Sequence, residues 1–346
     1  MKQSLDQAVS RLTFALALAF CAMFASTLAA RDGQASEPIN LSAGTEATKG
    51  TIYYEHLNWL AREMADRTDG RIKIDIFGEQ KLGTEISMVE GARAGSVDLV
   101  IVGGANFASF VPELQLLSVP YIFPDHDTYL KSMAPGSAPW SLIQKYADDK
   151  SLGIKVVAPT TIGSRWVANS KGEIRRLDDF RELGLRMRVQ ANPTEARVWS
   201  TYGAFPVSMP MPDVYTAARQ GVVNAVENSP DIMANYGIHE VLPRITPTKH
   251  SFYVALLVMS ERAWNNVPDD LKPIVLETLQ DSGKYALGLG TEYEARAVEK
   301  MKAGGAEIAS NVDTESFREP ILPLQDEVAN RVGAEALLKA IRDQAK

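Results

Sequence analysis

Polar and apolar positions along this chain follow two periods in turn. Tyr53, Leu57, Leu60 and Met64 are spaced four, three and four apart, the stripe of one helical face, and Asp69-Gly70 supplies a stop. Ile72, Ile74 and Ile76 then alternate with Lys73 and Asp75, which predicts a strand over 71–77. Gly83 to Gly95 returns to a helical pattern, with Ile86, Val89 and Arg93 on successive turns. Asp98 to Val102 (DLVIV) is a short apolar run of the kind that a strand buried on both faces requires, and Gly103-Gly104 halts it. With the short apolar start at Ile39–Leu41, the order is β-α-β-α-β. It predicts an α/β fold whose open, mostly parallel sheet carries helices on both faces.

The pattern restarts further on. Gly153 to Ala158 reads as a strand, the register renews around Thr160, and Trp166–Ala168 and Leu185–Val189 flank a charged linker over 171–181. Prolines 210, 212, 230, 243 and 247 punctuate loops, and Phe252 to Ser260 reads as one long apolar strand. From Leu271 the chain is helical: 271–288, 292–303 and 315 to the end. No repeat of fixed period is present. Two α/β units in one chain place a ligand between them, near the carboxyl ends of strands.

The first residues follow neither period. Lys2 and Arg11 precede a nearly unbroken apolar stretch from Leu12 to Leu28, and Ala29, Ala30 and Ala35 follow. That is the make-up of a secretory signal peptide, over 1–35, with cleavage near Ala30 or Ala35. A membrane anchor is the competing reading, since the run is about the minimum length for a span. A lipoprotein would use Cys21, but the bulky Phe20 before it argues against that. Cys21 is the one cysteine of the 346 residues. Its removal leaves a chain without cysteine, suited to an oxidising compartment such as the periplasm, and excludes disulfide and cysteine-zinc frameworks. With 45% hydrophobic residues the chain is not a disordered one. A net charge of −7 argues against nucleic acid or an anionic membrane as partner. After cleavage no membrane insertion is expected.

Enzyme chemistry is hard to find. The chain has no GxxxxGK[ST] loop and no GxSxG elbow, and Gly288-Leu289-Gly290 sits in a helical context. Asp125-His126-Asp127 offers metal-ligand residue types, although a surface loop explains the triplet equally well. His56, His239 and His250 have no neighbour at metal spacing. The reading is a binding module, with no cofactor and no metal.

Residues 184–230 carry the specific signal. Gly184, Arg186, Arg188 and Val189 are followed by GAFPVSMP (203–210), DVYTA (213–217), GVV (221–223) and Glu227-Asn228 close to Pro230. Earlier blocks accompany them: TDGRIKI (68–74), QKLGTE (80–85), GSVDL (95–99) and SVPYIF (118–123). In these ordered blocks, spread from about Leu41 to about Tyr285, the chain resembles the solute-binding proteins of tripartite ATP-independent periplasmic (TRAP) transporters, of the dicarboxylate-binding type. The resemblance implies a two-lobed periplasmic binding protein that closes on a small carboxylate ligand. It also implies delivery of that solute to a pair of membrane subunits, one small and one large. The expected division is 36–161 plus 254–293 for the first lobe and 162–253 plus 294–346 for the second, with hinges near Thr160 and Val254.

Arg186 and Arg188 share one side of their strand, and a guanidinium presents a planar fork of donors that fits a carboxylate. Alternation does not choose between the two. The position nearer the carboxyl end favours Arg188, and the resemblance assigns the anchor to it. The resemblance also implies ligand contacts from Arg165 and Asn228. Trp166 beside Arg165 is a candidate to cover the ligand, or core. Glu85 either binds a ligand hydroxyl or sits in a helix's first turn for its dipole. Asn106 lies where the first lobe can reach the cleft. A four-carbon dicarboxylate, a keto acid and a sugar acid all satisfy one anchoring arginine, and a second cation at Arg165 leans toward two acidic groups or a hydroxylated acid. Two other classes compete: the sensor module of a signalling receptor would carry a spanning helix after the module, and a periplasmic enzyme would need a nucleophile or a paired acid and base; the sequence shows neither feature.

Overall fold

The computed structural model describes residues 37–346; the signal segment expected over 1–35, Cys21 included, lies outside the described residues. Among the described residues, eleven strands make two sheets. The first contains β1 (Ile39–Gly44), β2 (Ile72–Phe77), β3 (Leu99–Gly103), β4 (Ile154–Thr160) and β10 (Ala255–Ser260), in the order β2-β1-β3-β10-β4. The second contains β5 (Ser164–Asn169), β6 (Arg186–Val189), β7 (Phe205–Ser208), β8 (Ala225–Asn228), β9 (Arg244–Phe252) and β11 (Glu307–Ile308), in the order β11-β9-β5-β8-β6-β7.

Each sheet is parallel except for one strand. β10 runs against both β3 and β4, and β5 runs against both β8 and β9. These are the strands by which the chain enters a sheet from the other one: β4 leads through Thr161-Ile162-Gly163 into β5, and β9 leads through Tyr253-Val254 into β10. Gly163 takes φ +86°, a left-handed conformation open to glycine at little cost. The apolar run 252–260 is therefore two elements. Its second part is buried at every position because β10 sits between β3 and β4, where both faces are covered.

Local patterns hold elsewhere. In the helix Ile52–Arg67 the side chains of Tyr53, Leu57, Leu60 and Met64 are buried. β2 buries Ile72 and Ile74 and exposes Lys73 and Asp75, as an edge strand with one covered face does. All five residues of β3 are buried, and each Val or Ile there contributes about 1.5–3 kcal/mol of burial. Within 294–346, β11 pairs with β9 and the helix Thr314–Arg318 lies against β9, whereas the last two helices pack elsewhere. The last helix, Glu335–Gln344, lies against the helices His126–Met133 and Ala138–Asp149, and Leu322–Val332 lies against the turn Pro112–Ser118. Apolar positions Leu337, Leu338 and Ile341 face that junction and are buried. Among the described residues no helix is long and apolar enough to cross a membrane.

The two sheets meet through polar contacts near their carboxyl ends. Ile52 N–H donates to the Asp231 carboxylate at 3.1 Å, the Tyr236 hydroxyl donates to the Glu46 carbonyl at 2.9 Å, and Asn192 Nδ2 donates to the Ala105 carbonyl at 3.0 Å.

Candidate functional site

A cavity opens at this junction, with about 430 Å³ of space between protein atoms, part of it open to solvent. Its wall repeats one topological rule. Glu46 and Ala47 follow β1, Asn106 follows β3, Arg188 and Gln190 close β6, and Asn228 closes β8. Arg165 stands at the beginning of β5, which, because β5 is reversed, is also the carboxyl end of its neighbours. Tyr53, Glu85, Met211, Ile232, Tyr236 and the crossing residues Ile162 and Tyr253 complete the lining. The cavity thus lies where open α/β sheets gather ligands.

Arg188 is 2% exposed. Its Nε donates to the Met209 carbonyl at 2.9 Å. Its other two nitrogens have no protein partner, and no carboxylate reaches it at salt-bridge distance, among the described residues. Burial pulls its pKa down, while the more distant charges of Glu195 and Glu227 pull the other way. A guanidinium stays protonated in proteins, so this is a buried cation lacking its counter-ion. Buried charges are ordinarily paired.

Arg165, 3% exposed, is in the opposite condition. Its Nε and Nη2 hold both oxygens of Glu227, Nη2 also reaches the Glu227 carbonyl at 3.2 Å, and its guanidinium carbon lies 4.4 Å from the Tyr253 ring centre. Burial alone would raise the Glu227 carboxyl; the Arg165 charge, with bonds from His250 and Arg165, overcomes it and holds the group at about 2. His250 Nε2 lies 3.2 Å from Glu227 and its Nδ1 2.8 Å from the Thr248 hydroxyl. Arg165 is therefore neutralised from inside. The lean toward a second acidic group on the ligand, drawn from its sequence position, falls away. What it extends into the site is Nη1, 3.5 Å from Asn228 Oδ1. Asn228 also accepts from Ser229 N–H at 2.9 Å and turns its amide toward the Met211 sulfur.

The first-sheet side of the cavity is acidic. Glu85 opens the helix Glu85–Ala94, and its Oε2 accepts from Gly103 N–H at 2.9 Å and from Asn106 Nδ2 at 2.8 Å. Glu46 accepts the Glu85 N–H at 2.7 Å and so occupies that helix's amino end. Burial, then the neighbouring Glu46, push the Glu85 carboxyl up to about 7; burial likewise raises Glu46, against the Glu85 N–H, Arg188 and Gln80. Behind Arg165, burial and then Glu227 raise Glu195 to about 7. Gly103 has a steric role: a Cβ there would lie 2.0 Å from the Tyr253 hydroxyl, which accepts from Gln190 Nε2 at 2.8 Å.

Five of the six side chains singled out from sequence line this cavity: Arg188, Arg165, Asn228, Glu85 and Asn106. Trp166 does not. Successive strand residues face opposite sides, so with Arg165 turned to the cavity Trp166 turns into the apolar core that holds Ala168, Val226 and Ile245, its indole N–H donating to Ser164 Oγ at 2.9 Å. Arg186, the alternative anchor, is exposed, donating to the Val222 and Gly221 carbonyls. Asp125 caps a helix through Thr128 N–H at 2.7 Å, and Asp127 pairs with Lys131. Sequence reasoning missed Glu46, Gln190, Tyr53, Tyr236 and Tyr253. Glu46 and Gln190 carried a usable signal, a polar residue just beyond a predicted parallel strand.

The model of the bacterial extracellular solute-binding proteins, family 7, matches residues 43–331. The chain belongs to that family. Its members bind and carry solutes outside the cytoplasm and are not enzymes. Among relatives, the C4-dicarboxylate-binding periplasmic protein DctP of Rhodobacter capsulatus is 26% identical, over 80% of this chain and 82% of its own length. The 2,3-diketo-L-gulonate-binding periplasmic protein YiaO of Escherichia coli is 26% identical, over 75% and 77%. Of solved structures, a TRAP periplasmic solute-binding protein from Polaromonas with bound D-erythronate superposes with a TM-score of 0.81 at 27% identity, covering 88% of this chain and 98% of that one.

Proposed function

We propose that this protein is the periplasmic capture component of a tripartite ATP-independent transporter. It takes a small organic acid by seating the carboxylate on Arg188 and delivers it to the small and large membrane subunits. The unpaired, buried Arg188 guanidinium carries the reading. A bound carboxylate supplies the counter-ion that the fold withholds, and two parallel N–H donors suit its geometry. Arg165 Nη1 and Asn228 border the same space and orient the acid. The lobes hinge at 161–163 and 253–254. The contacts from Asp231, Tyr236 and Asn192 across the junction belong to the closed form, whose population the ligand raises. Export removes 1–35; N-terminal sequencing of the exported protein beginning before residue 29 would refute that step.

The test is calorimetry of the wild type and Arg188→Ala against a panel of organic acids. The substitution is expected to cost about 2–5 kcal/mol of binding while far-UV circular dichroism stays unchanged. Equal affinity in the two proteins would remove Arg188 from the site.

A further inference from the structure

Asp231 stands outside the solute cavity, at the seam between the lobes. It lies in the first turn of the helix Pro230–Asn235, which follows β8 of the second sheet, and is 2% exposed. The first N–H groups of any helix lack a partner within it. At the head of Ile52–Arg67, on the first lobe, Thr51 Oγ1 accepts from Tyr54 N–H at 3.4 Å, and Ile52 N–H is left to one oxygen of Asp231 at 3.1 Å. The other Asp231 oxygen accepts from Asn235 Nδ2 at 2.9 Å. No cation reaches this carboxylate at salt-bridge distance among the described residues. Two cations of the facing helix Gly290–Ala303 are engaged elsewhere: Lys300 Nζ donates to Asn235 Oδ1 at 3.2 Å, and Arg296 lies 3.6 Å from Glu292. The remaining titratable groups on the elements around Asp231 are also occupied. Glu55 accepts from the Tyr285 hydroxyl and Glu240 from the Tyr215 hydroxyl, each at 3.1 Å, Arg165 on β5 holds Glu227, and His239 packs against Gly304. Burial raises the Tyr293 hydroxyl, which stays neutral.

This cap is made by two lobes, so it exists only while they are together. With the lobes apart, water surrounds the Asp231 carboxylate. Closure replaces that water by one backbone N–H and one amide, and a charge buried without a cation is costly. A proton on the carboxyl removes the charge and leaves its carbonyl oxygen free to accept from Ile52 N–H. Burial accordingly pushes the Asp231 carboxyl up to about 6 from its ordinary 3.8, against the Ile52 N–H, Asn235, Arg296 and Lys300. We propose that Asp231 couples closing of the lobes to uptake of a proton, so that the solute is held more tightly as pH falls through the weakly acidic range. The closed form binds the proton more strongly than the open one, so acid favours the closed form and the solute with it. Above about pH 7 both forms are ionised and the coupling is silent. The proposal rests on the reading that the closed form is the solute-bound one, and adds a positioning residue that touches no solute.

Titration calorimetry with the full mature protein decides it, at pH 7.5 and pH 5.0, using the tightest binder among D-erythronate, D-galacturonate and succinate. Asp231→Asn keeps an acceptor for Ile52 N–H and removes the titrating group. The ratio of wild-type to variant Kd is expected to fall by about tenfold from the higher pH to the lower. Glu46, Glu85 and Glu195 are present in both proteins, so their own titration cancels in that ratio. Repeating the titration at pH 5.5 in two buffers of unequal ionisation heat counts protons. The wild type is expected to take up most of one proton more than the variant on binding. A ratio that does not move with pH, or equal proton counts, overturns the proposal. Should the variant fold poorly, carboxyl-carbon NMR of the wild type with aspartate-selective labelling decides instead. One aspartate midpoint is expected to rise from the ordinary range to about 6 when the acid is added, and no such movement overturns the proposal. Arg188→Ala separates the two claims. If it abolishes binding while the ratio stays flat, the anchor stands and the role of Asp231 falls. If it changes nothing while the ratio moves, the anchor has failed and the proton-coupled closure stands.

Discussion

Arg165 on β5 and Arg188 on β6 are buried to nearly the same degree and line the same cavity, yet their surroundings are opposite. Arg165 has a carboxylate in its fork, a histidine behind that carboxylate and an aromatic ring beneath its own plane. Arg188 has one backbone carbonyl. The first is a finished ion pair that the protein uses to shape a wall. The second is half of an ion pair, and the missing half has to come from outside. A buried arginine is thus not a site by being buried; the state of its counter-ion separates scaffold from receptor. That distinction is energetic. Removing one partner of a buried pair leaves an uncompensated charge, whereas removing a lone buried charge relieves one.

The sharpest way to break the comparison is Glu227→Gln. It should leave Arg165 as unpaired as Arg188, and cost about 3–5 kcal/mol of stability, read as a lower denaturation midpoint with and without ligand. Arg188→Ala, by contrast, should act on binding first. If Glu227→Gln leaves the midpoint where it was, Arg165 is not held by Glu227 in solution and the two arginines are equivalent.

Acid titration sharpens the same contrast with a smaller effect. Glu227 is held at about 2, below the ordinary carboxylate value of 4.5. Its contribution is complete above the ordinary value and is lost as pH falls from there toward 2, on the order of 3 kcal/mol if it acts alone. Glu85 and Glu195, each raised to about 7, behave oppositely. The folded protein disfavours their ionisation, so stability declines as pH rises from the ordinary carboxylate range through 7. Denaturation midpoints of the ligand-free protein should peak in the weakly acidic range and fall on both sides. A profile that rises steadily from pH 5 to 8 contradicts the environments described for Glu85 and Glu195.

Much of this was legible along the chain, and the misses have physical causes. Period-2 and period-3.6 patterns located β2, β3 and the helix Ile52–Arg67 because each buries one face or both. The run 252–260 misled because burial on both faces reads the same whether a strand continues or the chain crosses to another sheet. Burial of the last helix against His126–Met133 depends on a contact between segments some two hundred residues apart, which no local period records. Arg188, Asn228 and Glu85 were found through motif blocks. The pairing that neutralises Arg165 was not, since it needs the antiparallel register of β5 on β8, where Val167 stands opposite Glu227 and Arg165 reaches it diagonally. Trp166 could have been separated from Arg165 by alternation alone.

Arg186 supplies the smallest expected effect and the cleanest control. It precedes Arg188 by two residues on β6, carries the same charge and belongs to the same motif block, so motif and composition treat the two alike. They differ in where along the strand they fall. Arg188 lies near the carboxyl end of β6, at the junction of the sheets; Arg186 lies at the opposite end, beside Phe205 of the edge strand β7 and in reach of solvent. Its guanidinium donates to the Val222 carbonyl at 3.0 Å and to the Gly221 carbonyl, bonds that water replaces at small cost. Arg186→Ala should therefore shift stability by no more than about 0.5 kcal/mol and leave the affinity for the organic acid within roughly twofold, a change of well under 1 kcal/mol. A tenfold loss of affinity in Arg186→Ala would mean that proximity to the motif, and not the unpaired state of one guanidinium at the carboxyl end of its strand, marks the anchor.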